Sequence, residues 1–226
     1  MAGSKETLTK PQVKICGLMR AEEAQACAEL GADAIGCVFY PRSPRHVSDE
    51  QAREIFQNLP AALCSVGVFV NEPFATIMKK VERCGLKAVQ LHGQEPVELA
   101  RSLQKEGLVV IKAIFVNSAP SLGLVGSFSA SAYLVECAGG PLPGGNAITW
   151  DYRAAAGISA KEPVILAGGI SPDNVSQAIR EALPDAVDVS SGVESAPGRK
   201  DMDKVKRLLE AVALTEGSRK PRRIFQ

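Results

Sequence analysis

The chain has 226 residues, 46% of them apolar, which suffices for one or two packed domains and is too apolar for a disordered chain. With 26 Lys and Arg against 25 Asp and Glu, the formal net charge is +1. No global field therefore draws in nucleic acid or an anionic membrane, and neither is expected as a partner. No apolar run reaches the roughly 18 residues of a bilayer span, and the opening MAGSKETLTK lacks the apolar block of a secretory signal, which predicts a cytoplasmic protein. Cys16, Cys27, Cys37, Cys64, Cys84 and Cys137 are widely spaced, with no CxxC and no Cys/His pair at ligand spacing; reduced thiols are expected and no metal site is indicated.

Residues 1–12 read as an N-terminal tail. From Val13 onward, strand-like and helix-like segments alternate to the end. Strands are predicted at Val13 to Leu18, Asp33 to Phe39, Leu63 to Val70, Leu86 to His92, Leu108 to Val116, Ala132 to Cys137, Pro163 to Ile170 and Ala186 to Ser191. Helices are predicted at Ala21 to Leu30, Asp49 to Asn58, Pro73 to Cys84, Pro96 to Glu106, Pro172 to Leu183 and Asp201 to Val212. The fifth and sixth crossovers carry weaker helical signals, Ser121 to Ala130 because it is rich in Gly and Ser and Tyr152 to Ile158 because it is short. Ser48 and Gln51 have capping-box spacing, and Gly31, Gly85 and Gly107 stand where helices should stop.

Runs such as AIGCVF, SVGVFV and PVILAGG are apolar throughout, as strands covered on both faces must be, and that implies a parallel sheet. Eight βα units in about 200 residues predict an α/β fold of the (β/α)₈ TIM-barrel type, a single domain over residues 13–212. The rival, an open doubly wound sheet, is disfavoured because the first βα turn, ICGLMRAEE, carries no GxGxxG fingerprint. Residues 213–226 hold Arg219, Lys220, Arg222 and Arg223 around Pro221 and read as a basic, solvated C-terminal tail whose last ten residues are dispensable for activity.

A barrel of this type places its active site at the carboxyl ends of the strands. Those ends carry Cys16 and Gly17, the loop with Arg42, Arg45 and His46, then His92, Glu136, the Gly168-Gly169 pair, and Asp188 to Gly192. Strand periodicity puts Lys14 on the face of Cys16 and Gln90 on the face of His92, and barrel closure brings Lys14 beside Asp188 as a buried pair. Lys14 is then expected to lower the Cys16 pKa from about 8.5 toward neutrality and make the thiol a usable base. His92 is open to two readings, a site residue or a satisfied structural histidine. Arg42 and Arg45 are open to two readings, a solvated loop or a carboxylate fork on the rim after strand two, while Gly168, Gly169, Ser190, Ser191 and Gly192 are placed for a phosphate ester at the rim of the last two strands.

The segments VKICGL (Val13 to Leu18), GADAIGCVFYPRSPRHVS (Gly31 to Ser48), VGVFVN (Val66 to Asn71), VQLHG (Val89 to Gly93), VIKAI (Val110 to Ile114), ILAGGISPDNV (Ile165 to Val175) and VDVSSGVESAPGRKD (Val187 to Asp201), in this order, resemble phosphoribosylanthranilate isomerase of tryptophan biosynthesis. The resemblance spans about Val13 to Val212. It implies a cofactor-free Amadori rearrangement of N-(5-phosphoribosyl)anthranilate to 1-(2-carboxyphenylamino)-1-deoxyribulose 5-phosphate. It further implies Cys16 as general base, Arg45 on the anthranilate carboxylate, Asp188 in the substrate site, and phosphate on Gly168, Gly169, Ser190, Ser191 and Gly192; His92 stands beside them as a substrate-binding candidate from its position at the end of strand four. The family's acidic residue falls on Glu136, a glutamate where an aspartate is usual. Gly144 to Ala147 and Met19 also depart from the family pattern. A weakly active or inactive paralogue that binds a sugar phosphate is the alternative, and a related isomerase with a changed substrate is a second; a substrate without a carboxylate would not need Arg45. The oligomeric state is not readable from the sequence.

Overall fold

The computed structural model describes residues 10–138 and 148–225. Eight parallel strands close into a barrel in the order β1 (Gln12–Cys16), β2 (Ala34–Val38), β3 (Cys64–Phe69), β4 (Ala88–Leu91), β5 (Val109–Phe115), β6 (Ala132–Glu136), β7 (Val164–Leu166) and β8 (Ala186–Val189), with β8 pairing back onto β1. The predicted fold is therefore the observed one. Nearly every strand residue is buried, because side chains point alternately into the barrel and under the helices, and neither side meets water.

Helices α1 (Ala21–Glu29), α2 (Asp49–Gln57), α3 (Phe74–Cys84) and α4 (Val97–Lys105) follow the first four strands. Ser48 and Gln51 form the reciprocal capping box at the start of α2, and α3 stops on Gly85 in the left-handed conformation. After β5 the Gly- and Ser-rich segment yields only a 3-10 turn at Leu122–Leu124. After β6 the chain makes a 3-10 turn at Tyr152–Ala155 and the four-residue α5 (Ala156–Ser159). Helix α6 (Val175–Ala182) begins three residues later than expected, because the Asn174 side chain bonds Ser171 N and Gly169 O and holds the preceding residues in a turn. Helix α7 (Met202–Leu214) closes the ring. Between β8 and α7 lies an antiparallel hairpin, β9 (Glu194–Ala196) and β10 (Arg199–Lys200), that the helix-strand alternation did not foresee. Among the described residues no helix is long and apolar enough to cross a membrane.

The basic C-terminal segment corrects the expectation of a solvated tail. Arg219 pairs at 2.8 Å with the buried Asp185, which also accepts from Arg222 N at 2.6 Å. Gln12 Oε1 accepts from Ile224 N and Phe225 N at 2.7 and 3.0 Å, and Gln12 Nε2 donates to Phe225 O at 2.8 Å. Ile224 and Phe225 are buried inside the amino-terminal end of the barrel, where β2, β4, β6 and β8 all begin with alanine and leave room for them. The charge pattern of the segment concealed the two apolar residues that determine its course.

Candidate active site

At the opposite end, the carboxyl ends of the strands surround a solvent-open cavity. Cys16 enters from β1, Arg45 from the loop after β2, Gln90 and His92 from β4 and its end, and Glu136 from β6. Gly168 and Gly169 follow β7, while Asp188, Ser190 and Ser191 come from β8 and its end. Of the residues named at the strand ends, Gly17, Arg42, His46 and Gly192 are outside this lining and the others share the one cavity. Gly192 packs behind it, where a Cβ would lie 1.9 Å from the Ile170 carbonyl oxygen, and so allows the loops after β7 and β8 to touch.

Cys16 is buried at the end of β1 directly opposite Gly36 of β2, and the missing Cβ of that glycine is the space the thiol occupies. Two residues deeper, Lys14 is in register with Asp188 and donates to it at 2.8 Å, the pair anticipated from strand periodicity. Burial alone would lower the Lys14 pKa, but Asp188 and Cys16 outweigh it and keep the ammonium charged above the usual lysine range. For Cys16 the expectation is overturned. Burial pushes the thiol up, and the opposing pull of Lys14 is too small to bring it below its ordinary value, in part because Asp188 pushes the same way as burial.

Across the cavity, His92 Nε2 lies 2.8 Å from Glu136 Oε1, and His92 Nδ1 lies 2.9 Å from Gln90 Nε2. The imidazole packs edge-on against Phe115. His92 thus lines the cavity while both of its ring nitrogens face protein groups. Among the described residues Glu136 Oε1 makes no well-aligned hydrogen bond, so its approach to His92 is close in distance and open in angle. Lys112 stands outside the cavity lining. Its buried ammonium binds Leu91 O, Gly93 O and Glu95 Oε2 at 3.2, 2.7 and 2.7 Å, which ties down the turn that carries His92.

Arg45 is fixed by a residue that sequence reasoning missed. Its Nε and Nη2 donate to the two oxygens of Glu194 at 2.8 and 2.7 Å, and Lys200 Nζ donates to Glu194 Oε1 at 2.8 Å and to Ser190 O at 3.1 Å. The β9–β10 hairpin thereby joins the arginine to the loop after β8. A Pro-Gly dipeptide, Pro197-Gly198, between Glu194 and Lys200 was the available signal for a turn that brings two opposite charges together. On the β7 side Gly168 and Gly169 both have positive φ, and their carbonyls accept from Tyr152 Oη at 3.0 Å and Asn174 Nδ2 at 2.8 Å. Residues Gly144 to Ala147 lie outside the described residues.

Residues 13–211 match the family described as N-(5'phosphoribosyl)anthranilate (PRA) isomerase. The chain belongs to this family. A phosphoribosylanthranilate isomerase of Desulfatibacillum aliphaticivorans is 56% identical over 214 residues, 95% of this chain and 98% of that protein. Its counterpart in Geobacter sulfurreducens is 44% identical over 198 residues, 88% of this chain and 96% of that one. The crystal structure of the phosphoribosylanthranilate isomerase of Thermotoga maritima superposes with a TM-score of 0.83 at 39% identity, covering 90% of this chain and 98% of that one. A further phosphoribosylanthranilate isomerase, solved with reduced 1-(o-carboxyphenylamino)-1-deoxyribulose 5-phosphate, gives a TM-score of 0.80 at 38% identity over the same shares.

Proposed function

We propose that this chain isomerises N-(5-phosphoribosyl)anthranilate to 1-(2-carboxyphenylamino)-1-deoxyribulose 5-phosphate, with the barrel over residues 13–212 as the catalytic unit. The observation that carries the residue assignment is the placement of Cys16 and Glu136 on facing walls of one cavity, each with its own electrostatic partner. Glu136 gives its proton to the furanose ring oxygen, the C1′–O bond breaks with its electron pair passing to that oxygen, and the anilino nitrogen lone pair forms a C1′=N Schiff base. The Cys16 thiolate then takes the C2′ proton. The C–H electron pair becomes the C1′=C2′ bond of the enolamine, the former imine pair returns to nitrogen, and ketonisation moves the enol proton to C1′.

A thiol held above its ordinary value yields few thiolates but strongly basic ones, and the Lys14 ammonium, 0% exposed, supplies fixed positive charge beneath the sulfur when it ionises. Arg45 grips the anthranilate carboxylate with the guanidinium edge left by Glu194, and His92 and Asp188 complete the wall around the ribose. Gly168, Gly169, Ser190, Ser191 and Gly192 form the two loops assigned to the phosphate. All six cysteines are free thiols, which supports a cytoplasmic setting.

Loss of substrate fluorescence with the purified protein, together with growth of a tryptophan auxotroph lacking this step, tests the assignment. Cys16→Ser and Glu136→Gln should each lower kcat by roughly a hundredfold or more without loss of fold. Sugar-phosphate binding without turnover in the unsubstituted protein would favour the inactive paralogue. Full activity in Glu136→Gln would move the acid elsewhere.

A further inference from the structure

Gln90 is buried in β4, on the same strand face as His92, and among the described residues its amide is bonded only to that imidazole. We propose that Gln90 is a positioning residue that selects the tautomer of His92, directing the imidazole N–H at Glu136 so that the carboxyl's other oxygen is the one that carries the transferable proton. This rests on the reading of Glu136 as the acid.

The argument follows the donors. Gln90 Nε2 lies 2.9 Å from His92 Nδ1, and an amide nitrogen can only donate, so Nδ1 is the acceptor and the imidazole proton sits on Nε2. From there it faces Glu136 Oε1 at 2.8 Å. The contact is short but not yet aligned as a hydrogen bond; on this proposal Oε1 becomes the acceptor when the two groups align, which leaves the transferable proton on Oε2. When the proton passes to the furanose ring oxygen, the new carboxylate already has a neutral N–H donor beside it and needs no imidazolium. The reverse amide orientation would place the imidazole proton on Nδ1 and turn a lone pair toward Glu136. Glu136 would then give its proton to His92 in a hydrogen bond, away from the substrate. The other charged groups around the cavity are neutralised elsewhere: Arg45 by Glu194 in the loop region after β2, and Lys14 by Asp188 across β1 and β8. Lys112 of β5 is likewise held by Glu95 below His92. Cys16 on the far wall, Tyr40 in the loop after β2 and Cys137 beside Glu136 are the other titratable groups lining the cavity among the described residues.

The sequence contains two histidines, His46 and His92, so long-range ¹⁵N–¹H correlation of the imidazoles resolves His92 with His46 as an internal reference. At pH 8 the protein should show His92 wholly as the Nε2–H tautomer. An Nδ1–H form, or a mixture of the two, overturns the proposal and requires no variant to fold. In Gln90→Glu a carboxylate faces Nδ1, and the Nδ1–H form should appear. The same variant should lower kcat by roughly tenfold to a hundredfold with KM little changed, which a merely structural effect on the pocket would not produce. A Gln90→Glu enzyme with wild-type kcat and a shifted tautomer would also overturn it. Failure of the acid assignment looks different: Glu136→Gln would be fully active while His92 stayed Nε2–H.

Discussion

Arg45 and Glu194, 149 positions apart in the sequence, meet through two parallel hydrogen bonds of 2.8 and 2.7 Å in the wall of the cavity, and both side chains are buried. Three guanidinium hydrogens remain outside that contact, two on Nη1 and one on Nη2, and they form the edge a second carboxylate can engage. Lys200 balances Glu194, so the arginine keeps a net positive charge to offer.

Glu194→Gln should therefore damage both binding and stability. KM should rise severalfold as Arg45 loses its fixed plane, and unfolding free energy at pH 7 should fall by about 3–5 kcal/mol because two buried cations lose their counter-charge. The pH dependence has a definite sign. Burial pushes the Glu194 carboxyl up, but the hydrogen bonds from Arg45 and the charge of Lys200 outweigh it and hold it below its ordinary value. Its contribution is complete above the ordinary carboxylate range and vanishes as pH falls through the depressed value. Denaturant unfolding from pH 7 down to about pH 3 should show the gap between the two proteins narrowing in acid.

Alkylation of Cys16 by iodoacetamide, followed by mass spectrometry of its peptide, should stay slow at neutral pH and accelerate only above the ordinary thiol range, since burial outweighs Lys14. Lys14→Met should slow the reaction further at every pH in that range. Faster alkylation in Lys14→Met would show that the ammonium does not assist the thiolate.

Gly36→Ala would set a Cβ 2.9 Å from Cys16 Sγ and 3.1 Å from Lys14 Cε. The thiol must move, so kcat should fall by at least about tenfold, with a stability loss on the order of 1–3 kcal/mol from overpacking. Kinetics and urea unfolding of the same preparation separate the two effects.

Deleting residues 224–226 should lower stability by on the order of 3–6 kcal/mol, the sum for two buried side chains, while kcat and KM at 25 °C stay near wild type because the cavity lies at the other end of the barrel. A shortened protein that melts with the full-length one would mean that Ile224 and Phe225 contribute nothing beneath the strands.

The parts of this molecule legible in the sequence are those governed by short-range rules. Apolar runs marked the eight strands, the Ser48 capping box marked a helix start, and a period of two placed Lys14 with Cys16. Barrel closure then supplied the Lys14–Asp188 pair, since strands one and eight must meet. The parts that were not legible depend on desolvation or on distant partners. The direction of the Cys16 shift required the depth of its burial, which no neighbour in sequence reveals. Arg45 and Glu194 needed the hairpin after β8 to be folded before their distance meant anything. The C-terminal arginines were read by charge, although Asp185 and the strand-initial alanines decide where they go.

The rung that joins Lys14 to Asp188 also has a consequence for assembly of the fold. β1 and β8 are the seam where the cylinder shuts, and backbone ladders tolerate sliding as long as the pleats agree. Two residues out of step, the ammonium would face Ala186 and the carboxylate would be stranded in an oily interior, a penalty large enough to reopen the seam. The charges beneath the thiol thus also favour one register over its neighbours at the strand pair that closes the cylinder.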